Sequence, residues 1–256
     1  MNKAFVIAVI AFKGGTGKTT TSTSLAAAMA KRGEKVVLLD TDPQGNATRA
    51  SGFPNERSFS RTLTDAIIKE QNPPVYVSPS GYHIVPASIG LVEAEIVLDN
   101  ADNRYERIKR IIDYLSSKYK YVIIDCTPAI LSAMNRCIVH ASDFVIIPME
   151  AESLALEGLH NIIQYIKSGD YARILGILFT RYKNRILYDN ITKRVRLEYP
   201  GLVFSSVIRD CIKIPEAQSR GNDIFYFAPQ SNGAQDYGEF SIEVIERIKR
   251  YNNGQK

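Results

Sequence analysis

The residues best suited to chemistry in this chain form one glycine-rich run near the N-terminus. The run follows an apolar segment and precedes a helix-forming stretch, 21–32, which is the usual context of a phosphate-binding loop. Its glycines allow backbone N–H groups to surround the phosphates of a nucleotide, and the helix N-terminus adds its positive dipole end. Lys18 is expected to reach the β- and γ-phosphates, and the Thr19 hydroxyl to bind Mg²⁺. The predicted loop comprises Lys13, Gly14, Gly15, Thr16, Gly17, Lys18, Thr19 and Thr20.

Acidic residues follow two other apolar segments. Asp40 comes directly after segment 35–39, Asp42 lies two residues further on, and Asp125 follows segment 121–124. A carboxylate at the end of a buried strand beside a phosphate loop is well placed to act on Mg²⁺ or on water. The alternative interpretation is a turn in which aspartate and proline only end the strand.

The elements that must bring these residues together are predicted from the alternation of apolar and amphipathic segments. Short Val/Ile-rich runs are typical of parallel strands buried on both faces. Their alternation with helices indicates an α/β fold, a single-domain, doubly wound, mostly parallel sheet with helices on both faces and the phosphate site at the carboxyl ends of the strands. Segments 52–60 and 72–81 are predicted to be surface loops. The predicted strands are 6–11, 35–39, 83–85, 121–124, 144–147, 174–179 and 203–208, and the predicted helices are 19–32, 63–70, 91–98, 105–119, 132–140, 154–167, 189–198 and 241–251.

Composition narrows the class of protein. The 256 residues are 45% hydrophobic, which suits one large domain with a core, so 1–256 is predicted to be a single nucleotide-binding domain. The formal net charge of +5 favours a polyanionic partner only weakly. Cys126, Cys137 and Cys211 lie far apart and do not form a disulfide framework, which indicates a reducing cytosol. No segment has the length of a membrane-spanning helix.

The lysine at the head of the glycine-rich run makes the motif more specific. Lys-Gly-Gly-x-x-Lys-Thr-Thr is a deviant Walker A box, and the chain resembles the ParA/MinD group of P-loop ATPases. In that family the first lysine crosses to the partner subunit and touches its phosphates, so that ATP joins two subunits. The resemblance implies this role for Lys13, and a merely solvated lysine is the alternative.

Further segments extend the resemblance over nearly the whole chain. The run from Asp40 to Thr48 is very close to the Asp-x-Asp-Pro-Gln-Gly-Asn segment of the ParA branch. This implies that Asp42 orients or activates the attacking water and that Asp40 supports the Mg²⁺ shell, as a phosphoryl transfer requires. Asp125 ends the Walker B strand, and Thr127 stands where the family usually has proline. The other similar segments are 86–95, 147–159, 216–221 and 233–237.

One segment departs from the family pattern. Where the family often reads Ile-Pro-Arg-Asn-x-Arg, this chain has Ile208, Arg209, Asp210, Cys211, Ile212 and Lys213. The family segment borders the adenine and carries a DNA-contacting arginine, so the resemblance implies that Ile208, Arg209 and Asp210 lie beside the base. Asp210 takes the place of that arginine, and Arg209 and Lys213 are the candidates to replace it.

A cluster of basic residues is the candidate DNA-binding surface. Lysines and arginines grouped in this way neutralise DNA phosphates without reading sequence, and the family binds DNA non-specifically in its ATP state. An ordinary charged helix and loop is the alternative. The candidates are Arg181, Lys183, Arg185, Lys193, Arg194, Arg196, Arg209, Lys213 and Arg220.

The C-terminal segment separates two branches of the family. MinD-type proteins end in a short basic amphipathic helix that inserts into membranes. Here Phe240, Val244, Ile245 and Ile248 form an apolar stripe at helical spacing, and such a stripe is more often core packing. Membrane targeting is therefore the less favoured interpretation.

The resemblance implies a ParA/Soj-like, Mg²⁺-dependent ATPase that segregates a plasmid, an integrated element or a chromosome. ATP would close a homodimer on non-specific double-stranded DNA, and hydrolysis stimulated by a ParB-like centromere-binding protein would release it. The expected location is the cytoplasm, on the nucleoid. Because no extension precedes the first strand, a separate N-terminal helix-turn-helix domain is not expected. The alternatives are a MinD-like membrane-cycling ATPase and, less favoured, a metallocluster-assembly ATPase, for which Cys126 and Cys137 make a poor ligand set.

Overall fold

The helices and strands are given by a computed structural model that describes residues 4–54, 58–152, 155–169 and 171–254. Within these ranges the strands are β1 Phe5–Val9, β2 Val36–Asp40, β3 Tyr76–Val77, β4 His83–Val85, β5 Tyr121–Asp125, β6 Phe144–Met149, β7 Arg173–Tyr182 and β8 Val203–Arg209. The helices there are α1 Lys18–Lys31, α2 Asn46–Ala50, α3 Leu63–Ile68, α4 Leu91–Asn100, α5 Arg104–Ser116, α6 Ala133–Ala141, α7 Ala155–Ser168, α8 Ile186–Glu198, α9 Lys213–Ser219, α10 Ile224–Phe227 and α11 Asn232–Asn252.

The strands of the described residues form one sheet in the order β3-β4-β2-β5-β1-β6-β7-β8. The β3 strand is antiparallel to β4, and the other neighbouring pairs are parallel. The predicted fold, a doubly wound and mostly parallel sheet, is therefore confirmed. Because β1 lies between β5 and β6 and is parallel to both, the loops that follow these three strands lie side by side at the carboxyl ends of the strands.

The register of the central strands places Asp40 and Asp125 in the same row across the sheet. Val9 of β1 is level with Asp125 of β5, and Asp40 of β2 is level with the same Asp125. Residues in one row of a parallel sheet point to the same face, because side chains alternate between faces along each strand. The two aspartates thus end their strands side by side, next to the loop that follows β1.

Helices cover both faces of the sheet. Val6 and Ala8 of β1 pack in a layer with α3 to α8, whereas Ile7 and Val9 pack in the opposite layer with α1, α10 and α11. This explains why central strands such as β1 and β6 are apolar without interruption. Cys126 is buried in the first of these layers, as expected for a packing residue.

The long helices and strands were predicted at their observed places in the chain, whereas several short ones were not predicted. Segment 72–81 was predicted to be a loop, but it contains β3, which pairs with β4 over only two residues. Helices α2, α9 and α10 were not predicted, because four to seven residues are too few to show a helical period.

Helix α11 begins at Asn232, well before the predicted start at 241, and the Ser231 side chain accepts a hydrogen bond from the Ala234 N–H. Helix α8 likewise begins at 186 instead of 189. The predicted start of one helix at Leu154, and 55–57 of the predicted loop 52–60, lie outside the described residues.

The apolar stripe of the C-terminal segment is part of the core. Phe240, Val244, Ile245 and Ile248 are buried in the layer that contains α1. Within the described ranges, no helix is both long enough and apolar enough to cross a membrane.

Candidate nucleotide-binding site

The loop between β1 and α1 has the backbone geometry of a phosphate cradle. Gly15 and Gly17 both have a φ of 84°, a region that favours glycine, and Gly17 is the N-cap residue of α1. The Thr16 hydroxyl donates to the Lys13 carbonyl oxygen at 3.2 Å and closes the turn. Since α1 begins at Lys18, its first N–H groups have no partners within the helix and face the loop. This geometry suits the predicted contacts of residues 13–20 with phosphates.

Two residues that the sequence did not indicate hold the loop in place. The Thr180 hydroxyl at the end of β7 donates to the Thr16 carbonyl oxygen at 2.8 Å. The Gln218 side-chain amide of α9 donates to the Thr20 hydroxyl oxygen at 2.8 Å. Both contacts join segments more than 150 residues apart, so no local pattern could reveal them.

The predicted Mg²⁺ ligands Thr19 and Asp125 lie in direct contact. The Thr19 hydroxyl donates to Asp125 Oδ2 at 2.8 Å, and the Ser22 hydroxyl donates to Asp125 Oδ1 at 2.8 Å. Hydroxyl and carboxylate oxygens are the ligands that Mg²⁺ prefers, so this group fits the ion. Ser22 was missed, although its position three residues after Thr19 places both on one face of α1.

The two buried carboxylates at the carboxyl ends of β2 and β5 are costly to ionise. Burial raises the pKa of Asp40, and the charge of Asp125 raises it further. Burial also raises the pKa of Asp125, against the hydrogen bonds from Thr19 and Ser22 and the charge of Lys18. A bound cation would favour the ionised form of both groups, so the electrostatics also suit a metal ion.

Asp40 is fully buried, and both of its carboxylate oxygens accept hydrogen bonds from within the chain. Its Oδ2 accepts hydrogen bonds from the Thr48 backbone N–H and hydroxyl, both at 2.7 Å, and its Oδ1 accepts from the Asp42 N–H at 3.2 Å. The side chain therefore fixes α2 to the end of β2, and its support of the Mg²⁺ shell stays a prediction. Asp42 is only half-buried and lines the cleft, and its Oδ1 accepts from the Gln44 N–H at 2.9 Å.

A cleft with two adjacent lobes, which share lining residues, surrounds the loop. The phosphate lobe, about 470 Å³, is lined by the P-loop glycines, Lys18, Thr19 and Asp42. The base lobe, about 530 Å³, is lined by the three residues predicted to lie beside the base, Ile208, Arg209 and Asp210. Gln218 borders both lobes. One nucleotide could therefore extend from the predicted base contacts to the predicted phosphate contacts.

Lys13, at the head of the loop, faces solvent. Its side chain is 65% exposed, and its Nζ lies 3.3 Å from Glu152 Oε2. An exposed ion pair of this kind is weak, about 0–1 kcal/mol, so Lys13 is accessible to a second chain.

The predicted DNA-binding cluster is divided by the structure. Arg181 and Arg209 line the base lobe, because they lie at the carboxyl ends of β7 and β8, and they pair with Glu150 at 2.9 Å and Asp236 at 2.6 Å. Both side chains therefore lie at the nucleotide cleft, and their contact with DNA stays a prediction. Lys183 pairs with Asp210 at 3.6 Å.

Outside the cleft, two other predicted cations have internal contacts. Lys213 pairs with Glu216 at 2.8 Å, and Arg220 lies over the Phe227 ring at 5.2 Å. The cations that remain exposed on or beside α8, with no ion pair among the described residues, are Arg185, Lys193, Arg194 and Arg196. Of these, Arg196 also donates a hydrogen bond to the Phe204 carbonyl oxygen at 3.0 Å.

The loop after β5 is held by a buried side chain. The Asn135 side-chain amide of α6 donates to the Thr127 carbonyl oxygen at 3.0 Å, to its hydroxyl oxygen at 3.1 Å and to the Ala129 carbonyl oxygen at 2.8 Å. Thr127 stands where the family pattern has proline, and both its carbonyl oxygen and its hydroxyl oxygen accept a hydrogen bond from Asn135. Asn135 was not predicted, because nothing in its sequence neighbourhood marks it.

Comparisons with known proteins agree over most of the chain. The AAA domain family matches residues 4–172. The chromosome-partitioning ATPase Soj of Thermus thermophilus is 34% identical over 249 residues, covering 95% of this chain and 96% of that protein. The sporulation initiation inhibitor protein Soj of Bacillus subtilis is 33% identical over 248 residues, covering 93% and 97%. The structure of cobyrinic acid a,c-diamide synthase from Mycobacterium smegmatis, with bound ATP analogue and magnesium, has a TM-score of 0.82 at 27% identity, covering 99% of this chain and 98% of that chain.

Proposed function

The chain belongs to the ParA/Soj family of partitioning ATPases, and we propose that it is a dimerising ATPase that segregates DNA with ATP and Mg²⁺ as cofactors. The family membership predicted from the residues is thereby confirmed. The observation that carries the proposal is that Lys18, Thr19 and Asp42 line one lobe, with Lys13 exposed beside it and Asp125 hydrogen-bonded to Thr19. The proposed unit is one P-loop domain over 1–256.

The side chains of the phosphate lobe have distinct tasks in ATP hydrolysis. Lys18 is only 8% exposed, so its charge would neutralise the β- and γ-phosphates from the floor of the cleft. Thr19 and Asp125 would hold Mg²⁺, which supplies further positive charge at the phosphates. Asp42 would orient the attacking water, since its carboxylate borders the lobe and is fixed by the Gln44 N–H.

The exposure of Lys13 supports the proposed dimer. With ATP bound, Lys13 would leave Glu152 for the phosphates of a second chain, so the nucleotide would join the two subunits. The dimer would present the α8 cations, Arg185, Lys193, Arg194 and Arg196, to non-specific double-stranded DNA. A ParB-like centromere-binding protein would stimulate hydrolysis and release the dimer, and the protein would act in the cytoplasm on the nucleoid.

Binding to non-specific duplex DNA tests this function. The full chain is mixed with labelled DNA in the presence of Mg·ATP, Mg·ADP or no nucleotide, at two salt concentrations. We expect binding only with ATP, and weaker binding at the higher salt concentration. ATP hydrolysis without DNA binding under any of these conditions would contradict the DNA-partition proposal, and binding to anionic vesicles would then support the membrane-cycling alternative.

A further inference from the structure

One cation at the nucleotide cleft has no role in the mechanism described above. Arg49 of α2 lines the phosphate lobe together with Lys18, Thr19 and Asp42. It is exposed, and within the described ranges it forms no ion pair. The other cations at the rim of the cleft, Lys13, Arg181 and Arg209, are each paired with an acidic residue.

The backbone that carries Arg49 is held rigidly at the end of β2. The Arg49 N–H donates to the Gly45 carbonyl oxygen at 3.0 Å. Its neighbour Thr48 is bound to the buried Asp40 through both its backbone N–H and its hydroxyl. Asp42 belongs to the same turn, since the Gly45 N–H donates to the Asp42 carbonyl oxygen at 2.8 Å. Arg49 and Asp42 are therefore fixed relative to each other by the turn that joins them.

The guanidinium group is partly oriented and still has free donors. Arg49 Nη2 donates to Asn46 Oδ1 at 2.7 Å, which restricts the side chain to the side of α2 that borders the lobe. A guanidinium has five N–H donors in a planar fork that matches phosphate oxygens. Most of these donors have no partner among the described residues.

We propose that Arg49 binds the terminal phosphate of ATP and so makes the site prefer the triphosphate to the diphosphate. This inference rests on the proposed ATPase function. Asp42 is the predicted water-positioning residue, and the attacking water lies next to the terminal phosphate in any in-line hydrolysis. A cation fixed to the same turn as Asp42 reaches the same end of the nucleotide. Its charge also offsets the repulsion between the Asp42 carboxylate and the phosphate oxygens.

The test compares four full-length proteins in the presence of Mg²⁺: wild type, Arg49→Gln, Arg49→Lys and the control Arg32→Gln. Arg32 is an exposed arginine at the C-terminal end of α1. Equilibrium affinities are measured for ADP and for a slowly hydrolysed ATP analogue, and phosphate release gives kcat and KM. Thermal unfolding of each protein verifies that it is folded.

We expect Arg49→Gln to weaken binding of the ATP analogue by about tenfold, with ADP binding changed less than about twofold, because a charge-assisted contact to the terminal phosphate is lost. The kcat is expected to fall by at least about tenfold. Arg49→Lys should recover part of the preference, and Arg32→Gln should equal wild type.

An unchanged ratio of ATP-analogue to ADP affinity in Arg49→Gln, or an equal loss for both nucleotides, would overturn the proposal and leave Arg49 as a structural partner of Asn46. If the wild-type protein binds neither nucleotide, the proposed ATPase function fails instead.

Discussion

Asp40 and Asp42 are two residues apart, yet their surroundings give them different tasks. Asp40 is fully buried and accepts three hydrogen bonds, two of them from Thr48. Asp42 is half-buried and borders the phosphate lobe. One carboxylate therefore positions the turn, and the other is available to water, as their environments dictate.

Replacing Asp42 with alanine is expected to separate binding from hydrolysis. ATP binding should persist, because the P-loop contacts are intact, whereas turnover should fall by about 100-fold or more with the loss of the water-positioning group. Steady-state phosphate release and ATP-dependent DNA binding measure the two effects, and the DNA complex should become long-lived. Asp102→Ala, at an exposed acidic residue, serves as the control. Normal turnover in Asp42→Ala would remove Asp42 from its proposed role.

Asn135→Ala is expected to destabilise the fold through the loop after β5. The substitution leaves the Thr127 and Ala129 acceptors without the side-chain amide that binds them. The free energy of unfolding should decrease by about 1–3 kcal/mol, as measured by urea denaturation. Asn190→Ala on exposed α8 should change it by less than about 0.5 kcal/mol. Equal effects of the two substitutions would show that the loop is held by other contacts.

At the scale of elements, a side chain of α11 binds two backbone N–H groups of the edge strand β8. The register between β7 and β8 shifts along this strand, and two consecutive N–H groups, those of Ser205 and Ser206, both donate to the Glu243 carboxylate at 2.8 Å. Arg247 completes the group, with its guanidinium 2.9 Å from Glu243. Free N–H groups at a strand edge invite pairing with another chain, and here they are already bound.

The Glu243 contacts predict a pH-dependent stability. Burial alone would raise the pKa of Glu243, but the hydrogen bonds from Ser206 and Ser205 and the charge of Arg247 hold it below its usual value. A pKa lowered by folding adds stability above the unfolded-state pKa, and this stability is lost as the pH falls through the folded-state value. At pH 7 we expect Glu243→Gln to be less stable than wild type by about 1–3 kcal/mol.

Urea denaturation at pH 7 and near pH 4 tests this expectation, and the difference between wild type and Glu243→Gln should shrink at the lower pH. The exposed Glu246, 4.0 Å from Arg250, provides the control Glu246→Gln. A difference that stays constant over this pH range would exclude ionised Glu243 as its source.

For the whole molecule, the proposed DNA-binding surface on α8 and the helix α11 lie on opposite faces of the sheet. Helix α8 packs in the layer that contains α3 to α7, whereas α11 packs in the opposite layer with α1. Each helix carries two consecutive exposed cations, Lys193 and Arg194 on α8 and Lys249 and Arg250 on α11. Only the first pair belongs to the proposed DNA-binding surface.

The double substitution Lys193→Gln and Arg194→Gln is therefore expected to weaken ATP-dependent DNA binding without changing DNA-independent ATP turnover. The slope of log affinity against log salt should become shallower by about 2, since about two phosphate contacts are lost. The matched double substitution Lys249→Gln and Arg250→Gln removes the same charge from the opposite layer. If both proteins lose DNA affinity equally, the effect is one of net charge and the α8 surface is not the binding site.

The sequence predicted the sheet better than it predicted the site. Long Val/Ile-rich runs identify buried parallel strands, whereas α2 and α9 are too short to show a period, and they carry Arg49 and Gln218 of the cleft. The P-loop was predictable because its residues are contiguous. Thr180 and Gln218 act through contacts between distant segments, which depend on strand order and register. Asn135 contacts a loop only six to eight residues away, but no sequence motif marks it.

The alignment of Val9, Asp40 and Asp125 in one row limits how this protein can change in evolution. Losing a single residue from β2 or β5 would turn the terminal aspartate to the opposite face of the sheet, because side chains alternate along a strand. Insertions in the loop between α2 and α3, away from the row, leave it intact. Homologues are therefore expected to differ in the lengths of their surface loops and to keep the lengths of β1, β2 and β5.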